Sequence, residues 1–327
     1  MERIEEKALD FMVKAQLAAA LEASAYPKPG NIHRLSDKWG KRFEQFIAGS
    51  IAMGPAVKEA FIRGYRAWTR SNLKAVGIGS LIEKAVKLQL QAHSAGNTHL
   101  GVIILFIPIA SSTPMWMIEG KSIEDLGGAV LRVLRATTSK DANALMRAIA
   151  LIKPSGLGKP PRGLPDASRG QRTRLTLYEL LKESSRWDGV AEELTSGLNI
   201  SLRIGLPSLI EAYERSNDVN VAIVHCFLKI LSEKPDTFIA RNVGLALKPD
   251  APIDEAVKLG LIEAEAMSKR AREILELGGL MTSSGRRLLE ELDRELELKG
   301  PSYNPGTTAD LTATSILLAL LSTFKML

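Results

Sequence analysis

The residues best suited to chemistry in this sequence are polar groups set into stretches that should be apolar. Ile4, Ala8, Phe11, Ala15 and Ala18 step by four and three along one helical face, and the next position on that stripe is Glu22. A carboxylate there loses hydration unless a partner offsets the cost. Lys28, in the stiff Pro27-Lys28-Pro29-Gly30 turn, could be that partner, or both could face a ligand and a cation. An ion pair closing a helix end accounts for the pattern equally well.

Three further segments place polar residues at the start of a hydrophobic helix. In Ala95–Gly101, Asn97 is positioned to cap the apolar run that follows, Gly96 frees the backbone, and Thr98 and His99 fall in the first turn. Helix N-termini attract phosphates, although a capping Asn beside a partly buried His is the plainer alternative. In Lys234–Gly244, Asp236 opens a helix one turn ahead of Ala240 and Arg241. In Asn304–Ala313, Thr307 stands three residues before Asp310, the spacing of a capping box. Three such starts suggest a shared polar centre. Glu83, in mid-helix after Gly77-Ile78-Gly79-Ser80, is a weaker carboxylate candidate.

The elements that must position these groups are helical. Apolar residues recur at helical spacing nearly throughout, and alternating strand patterns are scarce, so the fold class is all-α, a multi-helix orthogonal bundle. After the first helix, the pattern predicts helices near 43–68, 79–94, 98–112, 121–136, 141–151, 174–232, 237–247, 252–277, 281–299 and 307–325. Residues 153–172 hold too many prolines and glycines for a regular element. That loop could divide two domains or form a lid on one, and a single large domain is the preferred reading of 1–327. Its Lys159, Arg162, Arg169, Arg172 and Arg174 could close over phosphates, or simply be solvated.

Bulk composition narrows the class of ligand. At 327 residues, 45% hydrophobic and 24% charged, the chain can bury a sizeable core. A net charge of +6 with only 5% aromatics fits nucleotides or phosphorylated metabolites better than a nucleic-acid polymer. Cys226 is the only cysteine, which excludes an internal disulfide framework and points to a reducing compartment. The N-terminus has no apolar signal core, so a cytoplasmic location is expected. Leu100–Ile118 is uncharged and long enough for a membrane span, but Pro108, Pro114 and the lack of basic anchors favour a buried core helix and no membrane. The sequence contains no GxxxxGK[ST] loop, HExxH, GxSxG or His-Asp dipeptide. Nothing in it fixes an oligomeric state.

Taken in order, the motifs resemble the triphosphoribosyl-dephospho-CoA synthase family over more than 280 residues. The likeness runs from Glu22 and PKPG at 27–30, through NTHxG at 97–101, GLG at 156–158 and Asp166, to PDTxIxR at 235–241, Gly244 and PGxxADL at 305–311. The resemblance implies an all-helical cytosolic transferase that moves the triphosphoribosyl group of ATP to the ribose 2′-hydroxyl of 3′-dephospho-CoA and expels adenine. It implies a base for the hydroxyl, a hydrogen bond or acid for adenine, negative charge near an oxocarbenium-like centre, and Mg²⁺ on the triphosphate.

On that basis Glu22 is the expected general base and His99 the expected contact to the leaving base. Asp236 and Asp310 would face the developing charge or ligate metal, with Glu83 as a lesser ligand. Lys28, Pro29, Gly30, Asn97, Thr98, Arg241 and Gly306 would bind ATP. The sequence departs from the family pattern at Asn31-Ile32-His33, Leu100 and Thr307, where relatives usually carry Leu-Val-Asp, Lys and Gly. Those departures leave open transfer to a different small-molecule acceptor, hydrolysis of the N-glycoside, or nucleotide binding without catalysis.

Overall fold

In the computed structural model of the chain, residues 2–119, 122–154 and 156–326 are described. Among them all regular structure is helical, and backbone pairing outside helices is limited to isolated bridges. The stripe that starts at Ile4 becomes α1 (Glu2–Ser24), which buries Ala8, Phe11, Ala15, Ala18 and Ala19. Its small alanines admit two neighbours closely, α3 (Gly54–Thr69) and α15 (Gly306–Leu321).

The uncharged run is α5 (Leu100–Glu119), the only helix of the described residues with the length and apolarity of a membrane span, and 72% of its most apolar window is buried inside the fold. It packs on α3, α4 (Ile78–Ala92), α6 (Leu126–Arg135) and α15. The sequence pattern ends this helix near 112, yet it continues through both Pro108 and Pro114. The three hydroxyls between the prolines explain how polar residues tolerate that depth. Ser111, Ser112 and Thr113 donate back to the carbonyls of Ile107, Pro108 and Ile109 at 2.8 Å, leaving no buried hydroxyl without an acceptor.

Close backbone approach fixes the α3–α5 contact. A Cβ added at Gly64 would lie 1.9 Å from the Ser111 carbonyl oxygen, on rigid helical backbone. Gly64→Ala should therefore force α3 off α5 and cost ~1–3 kcal/mol, read by denaturant unfolding. An unchanged midpoint would mean that this contact is soft.

Several expected helices divide where local chemistry demands it. The segment 43–68 splits into α2 (Phe43–Ala52) and α3, because Pro55 has no N–H to continue the i to i−4 ladder from α2 and is accommodated in the first turn of α3. The segment 174–232 becomes α8 (Leu177–Ser184), α9 (Gly189–Thr195), α10 (Leu206–Ser216) and α11 (Val219–Glu233). Asp188 and Asp218 cap α9 and α11, accepting from the N–H groups of Ala191 and Val221. The buried Glu193 receives the N–H groups of Ile200 and Ser201 where a π-helical turn leads into α10.

The expected 121–136 helix begins at a residue outside those described, and its described part is a 3₁₀ turn at Ile123–Asp125 followed by α6 from Leu126. The remaining helices, α7 (Ser139–Ile152), α12 (Thr237–Leu247), α13 (Ile253–Glu276) and α14 (Ser283–Lys299), fall close to expectation. One contiguous apolar core draws on helices from α1 to α15.

Candidate active site

Asp236 joins two of the anticipated helix starts. Its Oδ1 accepts the N–H groups of Phe238 and Ile239 at the head of α12, at 2.8 and 3.0 Å. Its Oδ2 accepts the N–H and hydroxyl of Thr308 at the head of α15, both at 2.7 Å. The capping box expected within 307–310 does not form, because the α15 cap arrives from α12, and Thr307 instead meets the Thr237 hydroxyl at 3.1 Å. With both oxygens filled from within the protein, Asp236 has no coordination site left for a metal. Its charge bears on Asp310, and its bonds hold the head of α15.

Asp236→Asn would set an amide N–H₂ against donors on one side. It should cost ~1–3 kcal/mol in chemical unfolding. Wild-type stability combined with lost activity would restore Asp236 to a chemical role.

The Glu22 carboxylate is paired. Lys28 Nζ donates to Glu22 Oε1, and both residues are buried. Burial pushes Glu22 up and Lys28 down from their ordinary values, and each partly offsets the other's shift through its charge. Lys28, Pro29 and Gly30, expected to bind ATP, are not among the residues lining either cavity described below. This turn holds Glu22 from behind.

Asp293 on α14, which sequence reasoning missed, anchors that wall. It accepts the Gly30 N–H at 3.0 Å, contacts His33 Nε2 at 3.2 Å and lies 3.3 Å from Lys38 Nζ. Burial raises the Asp293 carboxyl, but the bonds from His33 and Gly30 and the charge of Lys38 outweigh it and hold the group low. The signal was the one that exposed Glu22. Leu289, Leu292 and Leu296 form the buried stripe of α14, and Asp293 occupies a position on it.

At the head of α5 the Asn97 side chain accepts the Leu100 N–H at 3.0 Å, as its spacing predicts. The phosphate expected in that turn faces a competitor. The Asp310 carboxylate from α15 presses against Gly101, so closely that a Cβ there would lie 1.9 Å from Oδ2. Burial first, then the charges of Glu22, Asp236 and Asp188, raise Asp310 well above the usual carboxylate range, and the Val102 N–H only partly offsets this. His99, 2% exposed, contacts the Thr98 hydroxyl through Nδ1 at 2.9 Å and leaves Nε2 without a partner. Burial, then the neighbouring His93 ring and the ammonium groups of Lys28 and Lys41, lower His99 to about 3, so the ring is neutral.

Two cavities meet at Asn97, Leu100, Gly101, Phe238 and Asp310. The larger, about 430 Å³, is lined by Glu22, Lys38, Lys41, Thr98, His99, Lys153 and Gly306 and has a basic wall. The smaller, about 230 Å³, is mainly apolar and carries Trp187, Asp188 and Arg241. The 153–172 loop, apart from Ser155, which lies outside the described residues, roofs it with Pro160, Pro161, Leu164 and Pro165. Of its cations, Lys153 lines the larger cavity. Lys159 pairs with Asp250 and Arg169 with Asp166, and neither lines a cavity.

Arg241 stacks on Phe238 at 4.8 Å and lies 3.8 Å from Asp188, and its buried Nε has no acceptor. Glu83 is not brought to the site. It forms surface ion pairs with Lys87 and Arg147, both at 2.7 Å, and lines neither cavity.

Of the expected residues, Glu22, Asn97, Thr98, His99, Arg241, Gly306 and Asp310 thus converge on the two cavities, while Lys28, Pro29, Gly30 and Asp236 support them. Lys38, Lys41, Lys153, Trp187 and Asp188 went unpredicted because they belong to loops and caps with no period to stand out from. No three His, Cys, Asp or Glu side chains among the described residues gather as a metal cage. A Mg²⁺ ion carried by a polyphosphate needs only one or two carboxylates, and Asp310, close to Glu22 and Asp188 and facing both cavities, fits that requirement.

Comparison with known proteins accords with this arrangement. Residues 10–326 match the family model of ATP:dephospho-CoA triphosphoribosyl transferase. A relative from Pseudomonas fluorescens Pf-5, named as a probable 2-(5''-triphosphoribosyl)-3'-dephosphocoenzyme-A synthase, is 35% identical over 130 residues, a match spanning 40% of this chain and 38% of the relative. One of the same name from Pseudomonas paraeruginosa PA7 is 33% identical over 302 residues, covering 91% of this chain and 85% of its own length. A crystal structure from Archaeoglobus fulgidus, described as a putative triphosphoribosyl-dephospho-CoA synthase, aligns with a TM-score of 0.56 at 25% identity, over 85% of this chain and all of that one. With the motif residues gathered around one pair of cavities and the match running nearly end to end, the chain belongs to the ATP:dephospho-CoA triphosphoribosyl transferase family.

Proposed function

We propose that the chain transfers the 5-triphosphoribosyl group of ATP to the 2′-hydroxyl of 3′-dephospho-CoA and releases adenine. The observation that carries this reading is the pair of cavities of unlike character joined at a carboxylate, since the reaction must bring two nucleotides together at one carbon. The basic cavity, with Lys38, Lys41 and Lys153, suits the triphosphate. The apolar one, with Trp187 and the unpaired Arg241 Nε, suits the second nucleotide and its diphosphate.

In the step, the acceptor oxygen bonds to C1′ of the ATP ribose while the bond from C1′ to adenine N9 breaks. The hydroxyl proton passes to a base and the departing adenine takes a proton. Glu22 is suited to the first role, because burial has raised its basicity and Lys28 fixes its position. Asp310 sits where negative charge would stabilise the cationic ribose. A bound Mg²⁺ would offset triphosphate charge, with Asp310 as its first protein ligand. The departing Asn31-Ile32 segment lines the basic cavity, so a different alcohol acceptor is a second reading.

Incubation with ATP, Mg²⁺ and dephospho-CoA, with products resolved by mass spectrometry, tests the proposal. Adenine and a triphosphoribosyl adduct are expected, and both should require the acceptor. AMP or ADP in place of adenine would overturn glycosyl transfer, and adenine without acceptor would indicate a hydrolase.

A further inference from the structure

The hydrogen bonds around His99 determine which of its nitrogens carries the proton. The Ala95 N–H donates to His93 Nδ1 at 3.2 Å, so that nitrogen is bare and the His93 proton resides on Nε2. His93 Nε2 lies 3.1 Å from the Thr98 hydroxyl oxygen and must be the donor there. Among the described residues the Thr98 hydroxyl meets no acceptor other than the second ring, so its hydrogen is directed there, with Oγ1 2.9 Å from His99 Nδ1. His99 Nδ1 is therefore an acceptor, and its proton lies on Nε2, the buried nitrogen with no partner.

The relay is packed tightly enough to keep this order. A Cβ at Gly49 of α2 would fall 2.5 Å from Thr98 Oγ1 and 2.7 Å from His99 Nδ1. A buried donor without an acceptor costs free energy unless something else fills it. The surroundings say what kind of acceptor fits. His99 lines the cavity that Lys38, Lys41 and Lys153 make basic, and Lys28 lies behind it.

We infer that the His93–Thr98–His99 relay locks His99 as a fixed hydrogen-bond donor through Nε2, held for an anionic oxygen of the nucleotide polyphosphate in the basic cavity. Thr98, His93 and Gly49 are positioning residues, and His99 is the group that touches ligand. This assignment rests on the ATP-binding reading above, but the lock itself does not.

Nitrogen-15 NMR of the histidine-labelled full chain tests both parts, with the His99 signals identified by their loss in His99→Gln. In the free protein His99 Nδ1 should show the shift of a bare, hydrogen-bonded nitrogen and Nε2 that of a protonated one. Inorganic triphosphate should move Nε2, and adenosine should leave it in place. Thr98→Val should free Nδ1 to compete for the proton and weaken the triphosphate response, with Thr98→Ser restoring both. His99→Asn, which cannot present a donor at the Nε2 position, should lower adenine release about 10²-fold, and His99→Gln should retain more of it.

A protonated Nδ1 in the free wild type overturns the lock. Movement with adenosine and none with triphosphate overturns the polyphosphate assignment. An intact lock and triphosphate response in a protein that releases no adenine would instead count against the transferase reading alone.

Discussion

Asp310→Asn should reduce adenine release by about 10²–10⁴-fold while leaving the fold intact or more stable. The carboxylate is crowded by Glu22, Asp236 and Asp188, and burial penalises its charge further. An isosteric amide relieves that repulsion and cannot offer negative charge to the ribose or a ligand to Mg²⁺. The pH dependence separates the two effects. Asp310 has a folded-state value raised above its unfolded one, so its contribution to stability is present below about pH 3.9 and is lost as pH rises through the raised value. In the Asn variant that loss is absent, and its stability relative to wild type should grow as pH rises across that window. The comparison uses thermal unfolding of ligand-free protein alongside the adenine assay. A variant with full activity would remove Asp310 from the chemistry.

Glu22→Gln is the second large effect and acts mainly on stability. Lys28 is fully buried and donates only to Glu22, so the substitution leaves an ammonium without its counter-charge. Breaking a buried pair on one side costs ~3–5 kcal/mol, whereas replacing both partners with groups of similar shape is often neutral. Glu22→Gln combined with Lys28→Met should therefore recover most of the lost stability in a double-mutant cycle. The refolded double variant should still fail to release adenine if Glu22 is the base proposed above. Activity in the double variant would reduce Glu22 to a structural role.

These two carboxylates illustrate how far the sequence could be read. The all-α class was legible because apolar periodicity reports directly on which face is buried. Glu22 stood out as a charge on such a face, and the same signal was present, and overlooked, at Asp293. The ordered motifs from PKPG to PGxxADL carried the family, which local spacing alone could not. Asn97 as the cap of α5 was also legible, since a cap is a contact within one turn.

The remainder depended on contacts between residues distant in sequence. Asp236 reads as a local cap, yet half of its bonding goes to Thr308 on α15, and no spacing within 234–244 could reveal that. Glu83 was a lesser candidate whose surroundings the sequence could not show, and Arg147, from another helix, lies beside it. Lys159 and Arg169 of the 153–172 loop suggested a phosphate clamp, but they pair with Asp250 and Asp166 while the loop turns prolines and leucines to one cavity and Lys153, which had not stood out, to the other.

The sequence by itself determined a helical protein, its family and the polar residues set against its apolar faces, because burial periodicity and motif order are written along the chain. Only the tertiary structure decided which carboxylates were filled and which faced a cavity, because hydrogen bonding and desolvation depend on neighbours brought from other helices.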